Sequence, residues 1–435
     1  MKKTLLFFLA FLMAFFPVFA NGQKEEASSK PVKKTLIHFY DWAPTDQSII
    51  DDFNRENPDI EVQFHSIPDN GGEKLVQLDI LAMGGGDIDV MPGSDGEQMV
   101  RMKNGIYAPL DEFIKRDGID MKASFGSILN YATYNNVTYG YPFRSTVEGI
   151  WYNKDMFDAM GIPYPDGTWT WDEYKEIAGK LTHGEGANKV YGTYTHTFNG
   201  QWAPVGNEKE SWYAENGLSN INSASFKTQL ERRNTLDTLG YQLSFNQIKA
   251  TKATQASYFL GGKCAMVQAG SWLVQNIKDQ GNYPHSFRIG IAPLPRFDES
   301  IESSNNFSVA ASILAIPANS EHKEEAWRFI RYMVEKGALR IAGTGNYPCY
   351  IPAYDDELIS TFIKGSGLEI NDIRPLFGEM SAVSQKPTGA AAAEYQQSMQ
   401  EQTPLFFNGE KSAEAVLQQI QTITDAAIAK EKSGK

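Results

Sequence analysis

From residue 35 onward, short apolar runs alternate with amphipathic stretches. Thr35-Leu-Ile-His-Phe-Tyr40 is rich in β-formers and predicts a buried strand. Ile60-Glu-Val-Gln-Phe64 alternates apolar and polar, the mark of a half-buried strand, and Asp87-Ile-Asp-Val-Met91 predicts a third. Between them lie two helical stretches. One places Ile49, Ile50 and Phe53 on one face, behind a cap at Thr45 or Asp46, and stops at Pro58. The other runs through Leu75, Leu78 and Leu81 to the break at Gly84-Gly85-Gly86. Strand, helix, strand, helix, strand is the pattern of a parallel α/β sheet.

The same reading continues downstream. A helical element begins at Ala108–Phe113, and an apolar strand carrying Tyr152 runs into Asn153-Lys154-Asp155. Thr170 and Glu173 have capping-box spacing and start a helix through Leu181. Residues 183–225 show no clean period and read as loops carrying Tyr194, Phe198, Trp202, Trp212 and Tyr213. Phe259–Val267 predicts a strand entered through two glycines, and Ile289–Pro295 and Ser312–Pro317 are further apolar runs. Asn319 or Ser320 is placed to cap a helix whose Ala326, Phe329, Ile330, Met333 and Val334 make an apolar stripe, with Gly337 as its stop. A last helix spans about 412–429.

The N-terminus changes the picture. Lys2 and Lys3 precede an apolar run from Thr4 to Phe16, and Val18-Phe19-Ala20 supplies small residues for cleavage, so residues 1–20 read as a signal peptide. Asn21 stands where a lipoprotein needs Cys, which predicts a periplasmic protein without a lipid anchor; residues 21–34 read as a polar, disordered leader. The remaining roughly 400 residues exceed a single core, so two domains are expected. The net charge of −13 becomes more negative once Lys2 and Lys3 leave, which argues against nucleic acid as a partner. Cys264 and Cys349 are the two cysteines; the compartment permits a disulfide, and the sequence leaves its formation open.

The order of motifs carries a resemblance. Phe53-Asn-Arg-Glu-Asn-Pro-Asp-Ile-Glu-Val62, Gly105-Ile-Tyr-Ala-Pro-Leu-Asp111, Tyr141-Pro142 through Lys154, Phe259 through Trp272, Ala292-Pro-Leu-Pro295, Leu314 through Phe329, and Asn408-Gly409 with the terminal helix follow one another over residues 35–430. Together they resemble bacterial extracellular solute-binding proteins of the sugar-binding, maltose-binding-protein-like type, the receptors of ABC importers. The resemblance implies an α/β, two-lobed periplasmic binding fold with three crossings, near 144, 310 and 348, and a ligand cleft between the lobes. The N-terminal lobe would hold 35–143 and 311–347, the C-terminal lobe 144–310 and 348–432. It also implies a monomer that passes a small-molecule carbohydrate to membrane permease subunits, with no cofactor, metal or turnover.

Sugar recognition needs flat aromatic rings for the pyranose face and planar polar groups for the hydroxyls, because a buried unpaired hydroxyl costs about 1–3 kcal/mol. Trp272, in a Gly-x-Trp turn, resembles the family tryptophan that stacks on sugar. Trp42 follows the first strand, whose carboxyl end should open into the cleft. Asp41 reads as a hydroxyl partner or a turn cap. Asp95 is similar in position to a family carboxylate site. Arg144 and Thr146, at the first crossing, read as ligand contacts, with a hinge salt bridge the other reading for Arg144. Trp202 and Trp212 read as site aromatics or as core; Tyr347 and Arg374 complete the set.

Catalytic signals are poor. The six histidines form no His-Glu-x-x-His motif, the cysteines no Cys-x-x-Cys, and Gly84–Gly86 lacks a phosphate-loop Lys. Two other functions fit the sequence: the same fold binding a polyamine, an organic acid or a glycerol phosphodiester, and a secreted carbohydrate-cleaving enzyme.

Overall fold

The computed structural model describes residues 34–433 apart from 43–44, 69–71, 95–96, 198–201, 204, 206–208, 303–305, 379 and 385. The signal peptide, nearly all of the leader, Asp95 and Phe198 lie outside the described residues.

The first strands form as their pattern predicts. β1 (Thr35–Asp41) and β2 (Ile60–Ser66) pair in parallel, from Thr35 opposite Ile60 to Asp41 opposite Ser66. The helix Gln47–Glu56 joins them and buries Ile49, Ile50 and Phe53; Asp46 is its cap, accepting the Ser48 N–H at 3.0 Å. The helix Gly72–Met83 follows and ends at the expected glycines. The third strand departs from expectation. Only Val90 bridges Phe39 in parallel, while β3 (Met91–Gly93) joins the later strand β9 (Asn306–Ala315) antiparallel. Asp89 is the reason: its carboxylate accepts the His38 N–H at 2.9 Å and the Ser320 hydroxyl at 2.7 Å, a side-chain bond inside what would be a backbone ladder.

β4 (Thr133–Tyr134) and β5 (Val137–Thr138) make a small hairpin ahead of β6 (Tyr141–Asn153), the spine of the molecule. All 13 residues of β6 are buried except Thr146, which is half-buried. β7 (Met266–Gly270), β8 (Ile289–Ala292), β9 (Asn306–Ala315) and β10 (Tyr347–Pro348) all pair with it antiparallel, and β11 (Ser381–Ser384) lies parallel on β9. The large sheet is therefore mixed rather than parallel. Alternation marks a strand but not its direction, and β6 and β9 are joined by a long excursion that leaves the direction free. Gly149 permits the close packing at the centre, since a Cβ there would sit 2.6 Å from the Ala292 carbonyl oxygen and 2.8 Å from the Phe307 ring.

Three local expectations are corrected. The 259–267 strand is a helix, Gln255–Leu260, then a turn, with β7 starting only at Met266; Thr254 and Ser257 form a capping box that nucleates the helix. The helix after β9 begins at Lys323 behind His322, not behind Asn319 or Ser320, because the Ser320 hydroxyl is bonded to Asp89. That helix runs through a π turn, Tyr332–Lys336, to Gly337, and a new helix, Ala338–Gly343, follows at once. The box at Thr170 and Glu173 forms as predicted, as does the last helix, Ala413–Lys432, capped by Ser412.

The largest apolar core lies on the Tyr141, Val147 and Trp151 face of β6 and reaches Phe39, Phe259 and Leu273. A second packs beneath Ile150 and Tyr152 with Trp169 and Trp171; a third gathers Trp202, Trp212, Phe226 and Tyr395 against the terminal helices; a fourth joins Leu78, Met102, Tyr107 and Ile313. Cys264 and Cys349 are both buried free thiols, unlinked to one another. Among the described residues no helix is long and apolar enough to cross a membrane.

Candidate functional site

The one gap in the burial of β6 is at Thr146, and the strand opposite is open at the same level, with Ala310 facing Thr146 and Ser312 facing Arg144, both half-buried. On the other flank, β7 brings Gly270 opposite Glu148 and Gln268 opposite Ile150. β7 then turns sharply. The Ser271 N–H donates to the Val147 carbonyl at 2.8 Å, and the Val147 N–H donates to the Ser271 hydroxyl at 3.3 Å. This staple fixes Trp272, half-buried, at the entrance of the helix Leu273–Lys278. Gly270 makes room for it: a Cβ there would stand 2.4 Å from the indole Nε1 of Trp272 and 2.5 Å from the Thr146 methyl. Trp272 and Thr146 are thus brought together. Trp42 follows Asp41 at the carboxyl end of β1, half-buried and packed on the cluster that includes Leu78, Met102 and Ile313.

Asp41 and Arg144 are used on each other. Arg144 donates from both guanidinium nitrogens to the two carboxylate oxygens of Asp41, at 2.6 and 2.7 Å, with Asp41 0% and Arg144 6% exposed. The Asp41 carboxylate is buried against the guanidinium, and the Arg144 charge is neutralised by it.

Three other candidates lie apart from the Thr146–Trp272 face. Tyr347 is fully buried and its hydroxyl donates to the Leu376 carbonyl, which makes it core. Trp212 stacks on Phe226 with ring centres 4.9 Å apart and donates its indole N–H to the Ser384 carbonyl at 3.2 Å. Arg374 is half exposed and pairs with Asp356 at 2.7 Å on an outer turn. Asp95 lies outside the described residues.

Trp202 extends the site. It is a shared wall of two adjoining cavities. The first is a narrow cleft of about 20 Å³, partly open to solvent, that runs from Gln268 and Ile150 to Trp171, Gln229 and Arg233. The second, about 150 Å³ and also partly open, continues from Trp202 and Arg233 to His196, Lys249, Thr403 and Phe407. Gln229 Oε1, Trp202 Nε1 and Thr403 Oγ1 are buried along this path without a hydrogen-bond partner, and such groups each cost about 1–3 kcal/mol unless something fills the space. Arg233 is anchored by Asp237 and by the Thr195 carbonyl at 3.1 Å. His196 accepts or donates at 2.8 Å with the Tyr194 hydroxyl, and burial, then the Lys249 and Arg233 charges, push its imidazole down to about 4.

Sequence reasoning passed over Gln268, Gln229 and Arg233. Signals existed for two of them: Gln268 interrupts the apolar run Cys264–Ala269, and Arg233 sits in the stripe of Phe226, Leu230 and Leu236 on the helix Ala224–Thr238. A polar residue in a buried period points to a cavity or a partner. No group of three or more His, Cys, Asp or Glu among the described residues is placed to hold a metal.

Residues 41–339 match the family model described as bacterial extracellular solute-binding protein. The multiple sugar-binding protein of Streptococcus mutans is 28% identical over 347 residues, 74% of this chain and 76% of the relative. Among solved structures, a sugar transporter protein of Rhizobium etli in an open conformation superposes with a TM-score of 0.79 at 22% identity, covering 90% of this chain and 99% of that one. The sugar-binding protein MalE of Xanthomonas citri gives 0.76 at 18% identity, covering 92% and 98%. These likenesses show the two-lobed, mixed helix-and-sheet fold of periplasmic binding proteins.

Proposed function

The chain belongs to the bacterial extracellular solute-binding proteins, and on that premise we propose that it captures a carbohydrate, an oligosaccharide or glycoside, and delivers it to the permease subunits of an ABC importer. The lobes are 35–143 with 311–347 and 144–310 with 348–432. What supports this division is that the three crossing points meet in register: Thr146 faces Ala310, Arg144 faces Ser312, and Pro348 faces Arg144. The half-buried face of Thr146, Trp272 and Ala310 is then the floor of the cleft, with Trp42 entering from the first lobe.

The observation that carries the sugar reading is the pairing of Trp272 with Thr146 across Gly270, continuous along β7 with Gln268. An indole offers a flat apolar surface to the C–H face of a pyranose, and Gln268, Thr146 and Gln229 offer hydroxyl partners. The cancellation of Arg144 by Asp41 removes the main reason to place an anion or an organic acid at the crossing itself. The work of the molecule is capture and hinged closure, with the ligand leaving chemically intact. It acts as a monomer in the periplasm after removal of the N-terminal segment.

A thermal-unfolding screen of the mature protein against neutral and acidic sugars, polyamines and small anions tests this. Ligand at 100 times its dissociation constant adds about 2.7 kcal/mol to the folded state, a visible shift. Stabilisation by one sugar class is the expected result. Stabilisation by polyamines or non-sugar anions alone would overturn it, and product formed from an incubated oligosaccharide would replace it with the enzyme reading.

A further inference from the structure

We propose that the second cavity, between the helices Ala224–Thr238, Phe245–Thr251 and Ala392–Phe407, seats an acidic sugar residue, so that the ligand is a saccharide bearing a carboxylate. This deepens the carbohydrate reading and rests on it.

The argument is one of complementary chemistry. Among the described residues the lining holds Arg233, Lys249, His196 and Trp202, and no carboxylate. Arg233 is already balanced by Asp237, which leaves the ammonium of Lys249, 5.7 Å from the centre of the Phe245 ring, as the net charge. Lys249 has no ion-pair partner among the described residues. Trp202 Nε1 and Thr403 Oγ1 belong to residues only 5% exposed, and neither atom has a partner. An indole N–H and an ammonium only donate, a hydroxyl can donate, and an ionised carboxylate only accepts. The lining is rich in donors and poor in acceptors, the inverse of a carboxylate. Burial first, and then the nearby Lys249 and Arg233 charges, hold the His196 imidazole low.

The apolar part of the lining suits a sugar ring rather than a bare anion. Phe245 and Phe407 stack face to face, ring centres 4.5 Å apart and planes 8° apart, with Trp202 and Pro404 on the same cavity. The cavity shares Trp202 and Arg233 with the narrow cleft that leads to Gln268. An acidic sugar unit against Lys249 gives both orphaned donors of this lining, Trp202 Nε1 and Thr403 Oγ1, an acceptor.

The test is calorimetric titration of the mature full chain with uronate-bearing saccharides (di- and trigalacturonate and an aldobiouronic acid) and neutral saccharides of equal length. The proposal expects the acidic series to bind at least tenfold more tightly than the neutral one and to weaken with added salt. It expects Lys249→Gln to lose at least tenfold in affinity for the acidic series, while Lys364→Gln, on the exposed end of a distant helix, loses nothing. Thr403→Val should bind the acidic series more weakly without lowering the melting temperature of the ligand-free protein, because the hydroxyl it removes bonds to nothing in that state. Neutral saccharides binding as tightly as acidic ones, or Lys249→Gln binding acidic saccharides normally, would overturn this proposal and leave the carbohydrate reading standing. Binding of no saccharide of either kind would overturn both.

Discussion

Replacing Arg144 by Met removes one half of a buried ion pair and should be among the most damaging single changes in the chain. Arg144 reaches both carboxylate oxygens of Asp41, at 2.6 and 2.7 Å, and the Asp41 side chain has no exposed surface. Two charge-assisted hydrogen bonds are lost, but the larger cost is the carboxylate left buried without its guanidinium. Removing one member of such a pair destabilises by about 3–5 kcal/mol, whereas replacing both by apolar groups of similar volume is often neutral. The structure therefore predicts a loss of about 3–5 kcal/mol for Arg144→Met and clear recovery when Asp41→Leu is added. Urea unfolding of the wild type, both single variants and the double variant at neutral pH measures the four corners of this cycle. A loss below about 1 kcal/mol in Arg144→Met, or a double variant no better than the single, would refute the reasoning and return Arg144 to the set of ligand contacts.

Further outcomes are expected elsewhere. His196 stays neutral in the folded protein until about pH 4, whereas in the unfolded chain it takes up its proton near pH 6.5, so stability falls as pH falls through that window; His196→Gln should flatten this decline in a series of melting curves, and an unchanged slope counts against the burial of the imidazole. Gly270→Ala forces a methyl within 2.5 Å of both Trp272 and Thr146, and should weaken sugar binding by tenfold or more while costing about 1–3 kcal/mol of stability by overpacking; unaltered affinity would mean that the indole is not held by this contact. Both thiols are buried, with Cys349 pushed up to about 12 by burial and Cys264 pushed up further by the same cause, so neither should react with a thiol reagent until the protein unfolds, and reductant should not move the melting temperature.

How much of this was legible in the sequence depended on range. Local signals carried through: the stripe of Ile49, Ile50 and Phe53, the alternation of 60–64, the box at Thr170 and Glu173, and the Ser412 cap all rest on spacings within a few residues. Trp272 and Thr146 come together because both belong to motifs in a recognised order, and Gly270 lies between them. The failures are long-range. Arg144 meets Asp41 across 103 positions, and nothing local tells a cation which carboxylate it will face. Trp212 stands in a segment without a period, yet it is enclosed by Phe226 and Tyr395, which arrive from other helices. Tyr347 is drawn inward by the Leu376 carbonyl in the same way. The cavity beside Trp202 was invisible for a related reason: its wall is built from helices at 224–238, 245–251 and 392–407 that only tertiary packing unites.

Isothermal titration of the wild type and of Trp272→Ala with the saccharide that stabilises the protein most in the melting screen tests the central claim most directly. The account predicts one site per chain in the wild type and a loss of about thirtyfold or more in the variant, as expected for a central aromatic anchor worth about 2 kcal/mol, with cooperative unfolding retained. Equal affinity in the two proteins would take the sugar away from the Thr146–Trp272 face and contradict the account.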